Sequence, residues 1–233
     1  MATFAELLAL HAATTLARQR VLAQVVGERP CRLELREGVV AFGEDMRFPV
    51  QVLGTWEAGT GDWRWAWAET GDALPARLLS DGFALRNQGE ANGLRALSAR
   101  GGTMDRAGLD AFAAVCRGLT GAGAWQLVEG DAGTRATLVL LRGLPARVAA
   151  RVPDGQIRGV LEAALARFDV VPRQAAMHFM SQQGFGIEET PDGFVARRGR
   201  DSRFVLAFDA AGRLARLEDP AQAARLRPWW RPW

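Results

Sequence analysis

The sequence predicts an α+β protein: an antiparallel β-meander sheet packed by helices, followed by a smaller two-helix plus β-meander module. Three observations lead there. Apolar residues over the first 26 positions recur at helical spacing; short alternating segments separated by Gly-containing turns follow them; the same order, helices and then a meander, returns after residue 155. The expected divisions are a helix plus sheet domain over 1–143, the second module over 155–219, and a Trp/Pro/Arg tail over 220–233.

Residues 4–26 form the first helix, with Phe4, Leu7, Leu8, Leu22, Val25 and Val26 on an apolar stripe and Gly27 able to cap its end. Strands follow at Arg32–Arg36, Val39–Phe42 and Phe48–Thr55, with Glu37-Gly38 as the first tight turn. Trp63, Trp65 and Trp67 alternate with Arg64, Ala66 and Ala68, so the strand Trp63–Ala68 puts its indoles on one face. An evenly closing turn over Glu57–Asp62 sets Trp56 opposite Trp63, Gly54 opposite Trp65 and Val52 opposite Trp67. A glycine opposite a tryptophan leaves room for the ring to lie over the backbone. The reverse face, with Leu53, Ala66 and Ala68, reads as small and apolar. The Trp face reads as core beneath the long first helix rather than as a stacking platform.

Pro75 opens a helix over Ala76–Ala91, which ends at Asn92-Gly93. A short strand near Leu94–Ala99 precedes a helix over Asp105–Leu119 with Asp105 as N-cap, and Trp125–Glu129 pairs with Arg135–Leu141 as a hairpin. The Pro- and Arg-dotted stretch 142–155 is the expected boundary. Helices Gln156–Arg167 and Pro172–Gln183 then lead to strands Phe185–Glu189, Phe194–Arg198, Arg203–Asp209 and Arg213–Glu218. The adjacent Glu188 and Glu189 fall on opposite faces of their strand, so they form no acid–base pair.

All 29 basic residues are arginine, and the chain has no tyrosine. That excludes a P-loop lysine, a kinase lysine and a pyridoxal Schiff base, along with any tyrosine nucleophile. Scarce Asn and Ile fit the codon bias of a GC-rich genome. Arginine does not exceed acid through Gly143 (15 against 16), but it does afterwards (14 against 10). No apolar run is long enough to span a membrane, the N-terminus lacks a signal pattern, and a cytoplasmic setting with reduced Cys31 and Cys116 is expected.

The segments Gln51-Val52-Leu53-Gly54-Thr55-Trp56 and Trp63-Arg64-Trp65-Ala66-Trp67-Ala68 resemble those of a bacterial family of uncharacterised proteins, mainly from GC-rich organisms. Its members pair a Leu-Gly-(Ser/Thr) strand with a Trp-x-Trp-Ala-Trp strand, behind a leading helix and before a helix–hairpin like Leu109–Leu141. The resemblance covers roughly residues 1–142. Where the family pattern often has Asn after the Trp-Ala-Trp-Ala run, this chain has Glu69. The resemblance implies a fold and carries over no catalytic residue.

Candidate binding residues lie in the C-terminal part. Arg197, Arg198, Arg200 and Arg203 crowd one hairpin, interrupted by Asp201, in a pattern suited to phosphates or carboxylates. Trp229, Trp230 and Trp233 stand among prolines and arginines in the tail, suited to docking on the chain's own surface or to self-association. His11 and His178 with the two cysteines lack the paired spacing of a zinc site, and Gly118–Gly123 follows a helix where a phosphate loop would precede one. The reading is therefore a non-enzymatic protein-binding or self-associating protein without cofactor or metal. Its alternatives are a nucleic-acid or phosphate binder using the C-terminal arginines, or an enzyme with a carboxylate/arginine cleft between the modules.

Overall fold

A computed structural model describes residues 2–69, 74–130, 134–200 and 202–219. It is α+β, and every described strand pair is antiparallel. Two compact units are present: unit 1 holds the chain to Leu8 together with Thr15–Ala150, and unit 2 holds Ala9–Thr14 with the described chain from Arg151 onward. None of the helices among the described residues is long and apolar enough to cross a membrane.

In unit 1, helix α1 (Phe4–Val26) starts at a capping box. The Glu6 N–H donates to Thr3 Oγ1 at 3.2 Å, and the Thr3 N–H donates to the Glu6 carboxylate at 2.7 Å. Gly27, at φ 60°, ends the helix by donating to the Ala23 carbonyl. Strands β1 (Cys31–Glu34), β2 (Val39–Phe42), β3 (Met46–Glu57) and β4 (Asp62–Trp65) follow, and a 3-10 turn spans Ala66–Ala68. Then come α2 (Ser80–Asn92), α3 (Arg95–Ser98), β5 (Gly101–Thr103), α4 (Arg106–Thr120), β6 (Ala124–Glu129), β7 (Arg135–Leu141) and α5 (Ala146–Ala149). The sheet runs β1-β2-β3-β4-β5, with β7 bonded to both β3 and β6. The long β3 makes this possible: its first residues pair with β2 and its later ones with β4 and β7.

Three expectations need correction. The segment expected as a strand over Leu94–Ala99 contains the helical turn α3, and the strand is Gly101–Thr103. Packing overrides local pattern here: Leu97 is fully buried, and a Cβ on Gly89 of α2 would meet the Leu97 Cβ at 2.8 Å. The tryptophan strand stops at Trp65, so Trp67 has no partner in Val52. A bulge between Val52 and Gly54 turns Leu53 into the same apolar cluster as the indoles. The reverse face stays apolar at Val50, Val52, Val139 and Ala66 and turns polar only toward β4, at Thr55 and Arg64. Finally, the helix that covers the tryptophans is not mainly α1. Leu22, Val25 and Val26 of α1 pack on Val40, Phe42, Phe48, Val50 and Val139. The indoles pack against Leu109, Phe112 and Cys116 of α4, with Leu85 of α2 and Leu97 of α3.

In unit 2, α6 (Asp154–Arg167) and α7 (Pro172–Gln182) precede β8 (Gly186–Thr190), β9 (Gly193–Arg198), β10 (Ser202–Phe208) and β11 (Leu214–Glu218), ordered β11-β10-β9-β8. Phe194, Ala196, Phe204, Leu206 and Leu217 are the buried side chains of one sheet face. The Gln182 amide donates to the Leu10 carbonyl at 2.8 Å and its oxygen accepts from the Thr14 hydroxyl, which places that stretch of α1 in this unit.

Candidate binding surfaces

The tryptophan hairpin has the expected register, with Gly54 opposite Trp65 and Trp56 opposite Trp63. Trp63 and Trp65 are almost wholly buried, and each meets Phe112 edge-on, at 5.2 and 5.3 Å between ring centroids. The ring over Gly54 is that of Trp63 rather than Trp65: a Cβ there would lie 2.7 Å from Trp63 Cη2 and 2.0 Å from the Arg64 carbonyl oxygen. Trp56 donates from Nε1 to the Met104 carbonyl at 2.9 Å. The indole nitrogens of Trp63, Trp65 and Trp67 are buried with no hydrogen-bond partner among the described residues. Trp67 is half-buried, with the Arg86 guanidinium 4.9 Å above its ring. This face is core.

Period-2 alternation sends the intervening residues to the other side. Thr55, Arg64 and Thr137 share one cross-strand row there, and Glu57 with Arg135 another. A cleft of about 710 Å³ lies along this side, lined among others by Asp62, Arg64, Glu69, Arg100, Thr103 and Arg135. Most of its charges are engaged. Arg135 pairs with Glu57 at 2.8 Å, and that hydrogen bond, followed by the charges of Glu57 and Glu69, holds its pKa up. Arg100 donates to the Ala68 carbonyl at 2.8 Å, and Thr103 to Asp62 at 3.3 Å. Arg64 is exposed and, among the described residues, has no ion-pair partner.

Among the described residues the cleft borders a sheet edge that no strand pairs with. In the β4–β5 ladder the Trp65 N–H donates to Arg100 and the Met104 N–H to Gly61, at 3.2 and 2.9 Å. Hydrogen-bonded pairs alternate along an antiparallel ladder, so the N–H and C=O of Gly101 and Thr103 point away from β4. Gly101, Gly102 and Thr103 are all exposed, and a Cβ on Gly102 would touch nothing within 4 Å. Gly101 stands opposite Arg64 and has no side chain to block it. Sequence reasoning passed over Arg64, Arg100 and Arg135; the alternation that faced the tryptophans inward was the signal that faced Arg64 outward.

The four C-terminal arginines are separated by the β9–β10 hairpin that carries them: Arg197 and Arg198 are on β9, Arg200 is in the turn and Arg203 is on β10. Arg198 faces inward, where it pairs with Asp154, donates to the Gln183 carbonyl at 2.8 Å and lies 4.4 Å over the Phe185 ring. Arg197 and Arg203 stand directly opposite each other on the open face, both exposed, with Glu188 3.4 Å from Arg197. Arg200 is exposed in the turn. Glu189, on the other face from Glu188, pairs with Arg173 at 2.7 Å. Trp229, Trp230, Trp233 and Asp201 lie outside the described residues.

Cys31 and Cys116 are free thiols. Burial pushes Cys31 up to about 11 and Cys116 well above the ordinary thiol range. No three His, Cys, Asp or Glu side chains among the described residues are placed to hold a metal ion.

Fold and surfaces together define an α+β protein whose first unit has a tryptophan-packed core on one sheet face and, on the other, an apolar core under α1 that gives way to a polar cleft beside β4 and β5. The chain belongs to a family of unknown function, DUF6882, whose model matches residues 5–144. No curated protein and no solved structure matches it.

Proposed function

We propose that this protein is a non-enzymatic protein-binding protein, and that unit 1 takes an extended acidic segment of a partner as an added strand on β5. The observation that carries the reading is the free edge at Gly101 and Thr103 beside the unpaired Arg64. Strand addition supplies affinity through main-chain hydrogen bonds, and alternate side chains supply selectivity. With glycine opposite it, Arg64 has an open path to a carboxylate on the added strand. A titration of the full chain with an octapeptide alternating Glu and Val tests this. Binding is expected, with loss of about tenfold or more in Arg64→Glu and in a peptide N-methylated at alternate amides. Equal binding of the methylated peptide would remove the edge from the account.

A second reading rests on the opposed Arg197 and Arg203. Like charges directly opposite in a ladder repel, and a phosphate between them, with Arg200 beside it, relieves that repulsion. Filter binding of a single-stranded oligonucleotide at several salt concentrations should then show a steep slope. A flat response disposes of this reading.

A further inference from the structure

Two cross-strand rows reach β5 on the cleft side, and they carry opposite charges. One runs Thr55–Arg64–Gly101, and the other ends Asp62–Thr103. Asp62 and Arg64 are two residues apart on β4, so they share a face about 6–7 Å from each other along the strand. Both are exposed and line the cleft, and among the described residues neither has an ion-pair partner. Asp62 is held in place: its N–H donates to the Thr60 hydroxyl at 3.2 Å, and its carboxylate accepts from Thr103 Oγ1 at 3.3 Å. Arg135, another cation of the cleft, is engaged by Glu57 at 2.8 Å.

The ladder fixes which residues of an added strand meet these two charges. The outward N–H and C=O of Gly101, and those of Thr103, each close a hydrogen-bonded pair with one residue of an antiparallel strand. Those two residues are themselves two apart, one in the Arg64 row and one in the Asp62 row. Each lies about 10 Å, Cα to Cα, from the charged residue of its row, across two steps of the ladder. Arginine and glutamate together span that distance over Gly101, which has no side chain. Aspartate is short, so only a long basic side chain opposite Thr103 reaches Asp62. The residue between them shares the face of Gly102, where a Cβ would touch nothing within 4 Å, so its side chain has room.

We infer that the β5 edge selects the order basic–x–acidic in the strand it takes, with Asp62 receiving the basic residue and Arg64 the acidic one. The order follows from direction: β5 runs from Gly101 to Thr103, so an antiparallel strand meets Thr103 first. This rests on the strand-addition reading above and makes Asp62 a specificity-determining residue of that site.

Three peptides in one frame test it, titrated into the full chain at about 0.15 M salt, where a screening length of about 8 Å limits the reach of net charge. They are Thr-Val-Lys-Val-Glu-Val-Thr, the charge-reversed Thr-Val-Glu-Val-Lys-Val-Thr and the diacidic Thr-Val-Glu-Val-Glu-Val-Thr. The first should bind about fivefold more tightly than either of the others. Asp62→Asn keeps an acceptor for Thr103 and should bring the first and the diacidic peptide to within about twofold of each other. Asp62→Lys should make the diacidic peptide the tightest. The inference is overturned if the parent holds the charge-reversed or the diacidic peptide as tightly as the first, or if Asp62→Asn keeps the fivefold preference. Binding of the diacidic peptide would then leave strand addition standing without Asp62. If none of the three binds, strand addition itself fails and the inference falls with it.

Discussion

The two faces of the β3–β4–β7 sheet are drawn from the same strands and meet opposite surroundings. On one face Trp56, Trp63 and Trp65 are buried against α4, α2 and α3. On the other, one residue along each strand, Val50, Val52 and Val139 are buried under α1, while toward β4 Arg64 and Arg135 line an open cleft. The difference teaches that the most conspicuous residues of the chain hold it together, while Arg64, interleaved with them, stays exposed and has no ion pair among the described residues. An aromatic face buries large apolar area and tolerates little change. A charged face in water contributes little to stability and can change without loss of fold.

Substitutions can break that contrast. The largest effect is expected at Gly54, which lies beneath the Trp63 ring: Gly54→Ala would place a Cβ 2.0 Å from the Arg64 oxygen, and the circular dichroism of native protein should be lost. Phe112→Ala empties the space against which two indoles rest and should cost about 3–5 kcal/mol in urea unfolding. Trp56→Phe keeps an aromatic ring but removes the indole N–H that the Met104 carbonyl accepts, along with part of the buried ring volume, for about 1–2 kcal/mol. Arg64→Ala, on the open face, should leave the urea midpoint within about 0.5 kcal/mol of the parent while weakening the acidic peptide. A large loss of stability from Arg64→Ala would abolish the distinction between the faces.

The thiols sharpen the same comparison without changing stability. With its pKa pushed up to about 11, Cys31 should react slowly with a thiol reagent at pH 8, where about one molecule in a thousand is thiolate. Its reactivity should climb as pH rises toward that value. Cys116, inside the tryptophan core, should react only as fast as the protein unfolds.

Much of the fold was legible because period and punctuation agreed. The first helix, its Gly27 end, the Asp105 cap and the Gly54–Trp65 register all follow from local rules. What escaped was decided by packing across distance. Leu97 is drawn into a helical turn by its fit against Gly89, and the Val52–Gly54 bulge moves Leu53 to the tryptophan side. Neither leaves a local trace in a single sequence. The arginine hairpin was legible as a cluster, but alternation along β9 sends Arg198 to Asp154 and Arg197 to solvent. The edge at Gly101 and Thr103 was hidden because it depends on which partner β5 finds.

Residue-level hydrogen exchange of the full chain, with and without the Glu/Val octapeptide, tests the central claim most directly. The account predicts that the amides of Gly101 and Thr103 become protected on binding, while Gly102, already bonded toward β4, changes little. Peptide binding with the Gly101 and Thr103 amides still exchanging freely would contradict it.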